Sequence, residues 1–321
     1  MKSYLQAVLA KAEADYAEIR LEETENTQLE YRGPHLTAVS QSQTYGGNIR
    51  VLVKGGWGFV SFNSLDELEK KLDLAVRQAR FIARSNPKEV RLAPVPVVED
   101  YVQAQLETDP RTIPLARKLQ QLADYNQRIL DGHEYITSSR AVYNETFRRV
   151  TFANSEGTYI VQEKLDLWGA LAAMASKGGE TQLGYHSFGS AKTYDVFLGL
   201  EPEIDYICDL AVRLLDAPLV EGGEYTVILD PTMAGLFVHE AFGHLSEADN
   251  VYEDPNMQAT MRLGRQFGRP VLNIFDTGLT EGARGYLKYD DEGGRHGEDV
   301  PDQGRAPGGP APLTGDGGRP G

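Results

Sequence analysis

The sequence predicts an α+β fold in which antiparallel sheet meanders are flanked by helices. Segments that alternate apolar and polar residues arrive in consecutive groups, and short turns such as Asn154-Ser155-Glu156-Gly157 join them. Amphipathic segments with helical spacing stand before and after each group. Strands joined by short turns favour antiparallel pairing over a doubly wound parallel sheet, because parallel neighbours need a long crossover connection.

The chain of 321 residues is long enough for two or three domains with a substantial core. We expect an N-terminal α/β domain over residues 1–95 and a central α+β domain over residues 96–220. The start of a third domain follows over residues 221–293, and residues 294–321 form an irregular tail. A connector with three prolines at residues 87–96 marks the first boundary.

The first unit is predicted to run helix, antiparallel sheet, helix. Its helices lie at residues 3–15 and from Leu68 onwards, the second opened by a capping box at residues 64–67. Two turns separate its strands, one at Gly33-Pro34 and one at Gly55-Gly56. The predicted strands are residues 17–21, 28–32, 36–42, 48–54 and 57–62.

The central unit repeats this kind of organisation without an evident internal sequence repeat. A helix over residues 114–130 precedes three strands, and a helix over residues 202–215 follows them. Cys208, within this last helix, is interpreted as a buried structural thiol, with a metal-ligand role as the alternative. The three predicted strands are residues 140–153, 158–173 and 181–186.

The third unit begins with a predicted short buried strand at residues 225–229 and a helix after it. Asp230 is a good N-cap and Pro231 suits the first helical position. Another strand is predicted at residues 271–275. The acidic run from Asp290 to Glu292 is a solvated turn or, alternatively, a second metal site.

Composition and charge narrow the function classes. The net charge of −15 argues against nucleic acid or an anionic membrane as the main partner. No stretch approaches the ~18 apolar residues of a membrane span, and no signal peptide is evident. One cysteine permits no intrachain disulfide, so we expect a reducing compartment.

The motif that carries chemistry is His239-Glu240-Ala241-Phe242-Gly243-His244. Two imidazoles can each supply a neutral nitrogen to a metal, and the adjacent carboxylate can accept a proton from water. The usual zinc-protease spacing places two histidines four residues apart on one helix face. Here the gap is five residues, about 140° around an ideal α-helix. We therefore expect a wide turn or a bend at Gly243.

The alternative is a buried structural helix whose two histidines are satisfied by neighbours, since the motif is short. Only six histidines occur in the chain, and two of them fall here with a glutamate between them. Apolar flanks are expected to keep the site dry. Glu247 and Asp249 follow closely and are expected to accept hydrogen bonds from the ligating imidazoles.

Several separated motifs resemble the TldD/PmbA family in their order. They are residues 225–232, the histidine motif at residues 239–244 and residues 289–293, preceded by the glycine-rich strand at residues 46–51 and by residues 56–59. The TldD-type subunit is the one with the His-Glu-x-x-x-His motif. The resemblance extends from about residue 15 to residue 293.

This resemblance implies a cytoplasmic metallopeptidase that hydrolyses unfolded or flexible peptides. By position, His239 and His244 would be metal ligands and Glu240 the catalytic base. The metal would be zinc, with iron as the alternative. Such subunits form a hetero-oligomer with a homologous PmbA/TldE-type partner. The fold then includes a truncated C-terminal metallopeptidase domain.

The family's third protein ligand is a cysteine close to the end of a full-length chain. This sequence has no cysteine after Cys208. The alternative function is therefore a non-catalytic peptide-binding or partner subunit that lacks the third ligand and binds peptides on an exposed sheet edge. Metal content would separate the two hypotheses.

The composition changes abruptly after Gly293. Residues 294–321 contain nine Gly and five Pro and no aromatic residue, which is typical of a disordered segment. Shifted by one base, the permitted codons allow a sequence that resembles the family's continuation. We therefore expect that the tail arises from a frameshift, that the native protein is longer, and that residues 294–321 lack regular structure.

Overall fold

A seven-stranded sheet forms the framework of the protein. The computed structural model describes residues 1–85, 90, 92–262, 264–295 and 302–303. The strands follow the order β3-β2-β1-β5-β6-β4, and β7 also pairs with β6. All pairs are antiparallel except β4 with β6. The strand bounds are β1 Tyr16–Arg32, β2 His35–Val53, β3 Gly56–Phe62, β4 Glu99–Val102, β5 Ile136–Asn154, β6 Tyr159–Lys177 and β7 Glu180–Ser190.

Seven α-helices occur in the described chain. The first four pack on the sheet, and the last three lie in the C-terminal third. Their bounds are α1 Lys2–Leu9, α2 Leu68–Ala83, α3 Leu115–Leu130, α4 Glu201–Leu215, α5 Pro231–Val238, α6 Ala248–Glu253 and α7 Pro255–Thr260.

Two hydrophobic cores lie side by side on the same face of the sheet. Ile19 of β1 belongs to the core under α1 and α2, and Leu29 of the same strand belongs to the core under α3 and α4. Because side chains alternate along a strand, residues ten apart point to the same face. The long strand β1 therefore carries both helical layers. It pairs with β5 along its length, so the sheet is continuous across the domain boundary predicted at residue 95.

The opposite face of the sheet carries polar residues and the segment 277–295. Arg284 binds Asp166 of β6 through two hydrogen bonds, and the Gln162 side chain bonds the backbone of Tyr289. Arg50 of β2 forms an ion pair with Glu292. These contacts hold the end of the described chain against strands of both predicted domains.

The predicted fold class is confirmed. The helices of the first two units lie close to their predicted positions, although α1 ends at Leu9 rather than at residue 15. The predicted strands 17–21 and 28–32 belong to one strand, β1. The polar residues between them face solvent or make ion pairs and so interrupt the alternating pattern, whereas backbone pairing continues through them.

Three local predictions are corrected. The capping box at residues 64–67 is wrong, because the N-cap of α2 is Glu67 with φ +54° and no side-chain cap bond. The predicted buried strand at residues 225–229 is wrong as well. It has no regular structure and Ile228 is 99% exposed, since no strand of the described chain pairs with it. Of the predicted strand 271–275, only β8, Asn273–Ile274, forms.

Most of the predicted irregular tail lies outside the described residues. Within it, β9, Asp302–Gln303, pairs antiparallel with β8, so the expectation is not met at these two residues. Among the described residues, no helix combines the length and the apolar composition that crossing a bilayer requires.

Candidate metal centre

The histidine motif directly follows helix α5. Asp230 caps the helix as predicted, because its carboxylate accepts a hydrogen bond from the Met233 N–H at 2.7 Å. Pro231 occupies the first helical position, where its missing N–H costs no intrahelical bond. The start of the helix is therefore determined by Asp230 and Pro231, two neighbouring residues that can be recognised in the sequence.

The predicted wide turn is present. A π-helical turn spans His239–Gly243, and the His244 N–H donates to the carbonyl of His239 five residues earlier. A turn closed between residues five apart holds more residues than an α-helical turn. It therefore brings His244 over His239, whereas an undistorted α-helix would separate them by about 140°.

The π-turn gathers three candidate metal-binding side chains. The two imidazole rings have centroids 4.4 Å apart. His239, Glu240 and His244 each offer a ligand atom, and these atoms lie within 4.8 Å of one another. Two nitrogens bound to one zinc ion are at most about 4.2 Å apart, twice the Zn–N distance. All three side chains are exposed, so small rotations can bring the two nitrogens to that spacing.

Glu247 orients the second histidine. His244 Nδ1 lies 2.7 Å from Glu247 Oε1, the geometry of an imidazole N–H held by a carboxylate. Asn250 donates to the carbonyl of His244 and to the other oxygen of Glu247. A proton on Nδ1 leaves Nε2 of His244 as the available ligand atom. Of the two acceptors predicted in the sequence, Glu247 makes this contact, and Asp249 lies in the first turn of α6.

The expectation of a dry site is wrong for this chain. The side chains of His244 and Glu240 are 50% and 64% exposed, and no residue of α5 is buried. Phe237, on the same helix, is 62% exposed. A helix that is apolar on all sides is normally covered. Within the described residues nothing packs over it, which is why apolar flanks do not exclude water here.

The other candidate ligands have structural roles. Cys208 is 2% exposed in the core between α3 and α4, and burial raises the pKa of its thiol to about 11. The acidic run after Tyr289 is no metal cluster among the described residues. Asp290 accepts backbone N–H groups in its own turn, and Asp291 pairs with Arg20 at 2.6 Å.

Three family models match consecutive parts of the chain. Domain 1 of the PmbA/TldA metallopeptidases matches residues 17–83, their central domain matches residues 108–217, and their C-terminal domain matches residues 222–299. The chain belongs to the PmbA/TldD metallopeptidase family. The resemblance seen in the sequence motifs is thereby confirmed.

Relatives within the family are named metalloproteases. A metalloprotease of Synechocystis sp. is 39% identical over 284 residues, which cover 88% of this chain and 61% of the relative. A metalloprotease of Methanocaldococcus jannaschii is 32% identical over 284 residues, 87% of this chain and 62% of the relative. A zinc metalloprotease TldD homologue of Saccharolobus solfataricus is 26% identical over 82% of this chain and 56% of its own length. The chain thus spans about three fifths of the length of these relatives.

Solved structures share the fold. A putative modulator of DNA gyrase from Bacteroides thetaiotaomicron superposes with a TM-score of 0.79 at 18% identity, covering 95% of this chain and 70% of that one. TldE from Thermococcus kodakarensis gives a TM-score of 0.63 at 15% identity, with 96% and 68% covered. At these identities the likeness concerns the fold alone.

Proposed function

We propose that this member of the PmbA/TldD family is the metal-binding part of a peptidase, with His239 and His244 as metal ligands and Glu240 as the catalytic base. The observation that carries the proposal is the π-turn, which brings two histidines five residues apart within reach of one ion. A π-turn is rare and frequently occurs at functional sites. A helix with a purely structural role would have no need of it.

The residues fit a divalent metal of the zinc type. The two imidazoles supply ligand nitrogens, the Glu240 carboxylate lies beside them, and Glu247 fixes the tautomer of His244. A bound metal supplies a Lewis acid that polarises the scissile carbonyl and lowers the pKa of water. Glu240 accepts the proton of the attacking water and passes it to the leaving amine. Its carboxylate lies 4.0 Å from His244 Nε2, close enough to serve the same reacting centre.

The experiment compares metal content with hydrolysis of a flexible peptide, in a chain extended to the full length of the relatives. Glu240→Gln keeps the size of the side chain and removes its basicity. We expect near wild-type metal content and a rate lower by ~10² to 10⁴. His239→Ala and His244→Ala should lose both metal and activity, because each removes a ligand nitrogen.

Glu247→Ala and Asp249→Ala form a matched pair of nearby carboxylates. Glu247→Ala should weaken metal binding ~10- to 100-fold, since it frees the His244 ring, whereas Asp249→Ala should change little. If Glu240→Gln loses the metal while His244→Ala retains it, the roles of ligand and base are wrongly assigned. Full activity in all three motif variants would mean that the helix is structural.

The finer properties are part of the same proposal. We propose zinc as the metal, unfolded or flexible peptides as substrates, a homologous TldE-type subunit as partner and the cytoplasm as location. The name of the Saccharolobus relative supports zinc, and the likeness in fold to TldE is compatible with a partnership of two similar chains. A stable apoprotein that still binds peptides would instead favour the non-catalytic alternative.

A further inference from the structure

The outer edge of β6 has an opening between its two partner strands. Strand β4 pairs with β6 only as far as Gln162, and β7 pairs with it only from Leu167 onwards. In the described part of the chain, no strand pairs with residues 163–166 on this edge. Residues 163–165 line a small cavity of about 70 Å³ at this edge, together with residues 103–105, Ala191, Lys192 and Glu281.

Lys164 lies in this opening and also lines a second cavity. That cavity, of about 410 Å³, lies between the sheet and residues 287–293. Gln162 and Leu287 line both spaces together with Lys164. Lys164, a half-buried residue, therefore borders both cavities.

The lysine has a cation beside it and no carboxylate partner. The register places Arg148 of β5 directly opposite Lys164. Among the described residues, no carboxylate lies within ion-pair distance of the Lys164 ammonium. Asp166 is held by Arg284, and Glu22 is held by Arg20 and Arg148. Like charges directly opposite one another destabilise a sheet.

Burial lowers the pKa of Lys164, Asp166 partly offsets that effect, and Arg148 and Arg284 reinforce it. In the absence of an anion, the protonated lysine is thus at a disadvantage. An anion placed between the two cavities would stabilise it, and the open edge of β6 would add backbone N–H donors.

The surroundings select a single negative charge attached to an extended, partly apolar chain. Asp290, Asp291 and Glu292 also line the larger cavity, and Glu163 and Glu281 line the smaller one, which disfavours a dianion such as phosphate. Phe152, Ile160 and Leu287 provide apolar wall. The smaller cavity has room for a carboxylate, and the larger one has room for the residues that precede it.

We propose that Lys164 binds the carboxylate of a peptide at its C-terminal end, with the preceding residues in the cavity under residues 287–293. The choice of a peptide rests on the proposed peptidase function, whereas the carboxylate follows from the site itself. A peptide C-terminus, an acidic side chain and a small carboxylate share this chemistry, and the experiment separates them.

The test is calorimetric titration of the whole chain carrying Glu240→Gln, in the presence of a chelator. Binding is then measured without hydrolysis, so failure of the peptidase proposal cannot be mistaken for failure of this one. The probes are acetyl-Gly-Val-Phe with a free C-terminus, the same peptide amidated, the amidated peptide with an internal Glu, and sodium acetate.

We expect the free acid to bind at least 10-fold more tightly than the amide, as for a charge-assisted hydrogen bond. Lys164→Met should abolish that difference and Lys164→Arg should retain it. Lys177→Met, on the same strand but paired with Asp216, should leave it unchanged. Thermal unfolding checks the fold, and Lys164→Met should not lower Tm, because no bonding partner is lost and repulsion by Arg148 is relieved.

Three results would overturn the proposal. The first is equal binding of the free acid and the amide. The second is that Lys177→Met abolishes the difference between acid and amide as fully as Lys164→Met does. The third is displacement of the free acid by acetate at equal concentration, which would mean an adventitious ion only. Preference for the internal Glu over the free C-terminus would replace the terminal carboxylate by an acidic side chain and refute the assignment made here.

Discussion

At the scale of single residues, the buried ion pair of Lys118 and Glu145 couples α3 to the sheet. Lys118 is 1% and Glu145 4% exposed, and the Lys118 ammonium donates to both carboxylate oxygens at 2.6 and 2.7 Å. The Tyr143 hydroxyl donates a hydrogen bond to the same carboxylate. Burial and the nearby Glu145 charge raise the pKa of Tyr143. Each charge is therefore compensated by the other within the core.

Breaking this pair on one side should be costly. Lys118→Met leaves Glu145 buried without its cation, and we expect a loss of about 3–5 kcal/mol in the free energy of unfolding. The double variant Lys118→Met with Glu145→Gln should recover most of that loss, because no buried charge remains. Urea denaturation followed by circular dichroism measures both. A double variant less stable than the single one would show that the pair stabilises through more than charge compensation.

At the scale of elements, the approach of α4 to β7 depends on a glycine. A Cβ added to Gly184 would lie 1.9 Å from the carbonyl oxygen of Ile207 on α4. Real Cβ atoms do not approach that closely, so a larger residue must push the helix away from the strand. The close contact thus determines how tightly the core under α3 and α4 is packed.

Gly184→Ala should therefore lower the free energy of unfolding by about 1–3 kcal/mol or more. Gly222→Ala is the matched control, because nothing lies within 4 Å of its added Cβ and its φ is not in the left-handed region. That variant should remain within ±0.5 kcal/mol of wild type. Thermal melts of the two variants provide the comparison, and equal melting temperatures would refute the packing argument.

At the scale of the whole molecule, Asp100 ties the end of the described chain to β4. It accepts hydrogen bonds from Lys288 at 2.6 Å and from the hydroxyl of Tyr289 at 2.7 Å. These bonds lower the pKa of Asp100. Burial and the hydrogen bond to the Asp100 carboxylate raise the pKa of Tyr289 to about 12. The ionised form of Asp100 is therefore the form that the fold favours.

The pH dependence follows from the direction of that shift. A carboxylate with a lowered folded-state pKa stabilises fully above its unfolded value near 3.8, and this stabilisation disappears as the pH falls through the folded value. Asp100→Asn should be less stable than wild type by about 1 kcal/mol at pH 7. The difference should shrink below about pH 4. Urea unfolding at both pH values tests this, and a constant difference would contradict the linkage.

Helices and turns could be predicted from the sequence wherever local chemistry decides them. Asp230 and Pro231 start α5 in the structure as the sequence indicated, and Gly33-Pro34 closes the hairpin of β1 and β2. The wide turn before His244 followed from a spacing argument that needs no tertiary contact. The bounds of long strands were harder, because exposed polar residues interrupt the alternation without interrupting the backbone pairing.

The sequence by itself determined the α+β class, the family and the cluster of His239, Glu240 and His244, since these depend on residue periodicity and on residues near one another in the chain. Tertiary structure alone decided that both helical layers share one face of one sheet and that the histidine helix is exposed in the described chain. It also decided that Lys164 stands opposite Arg148 at an opening in the sheet. Strand register and the cover over an element depend on contacts between residues far apart in the chain, which local patterns do not encode.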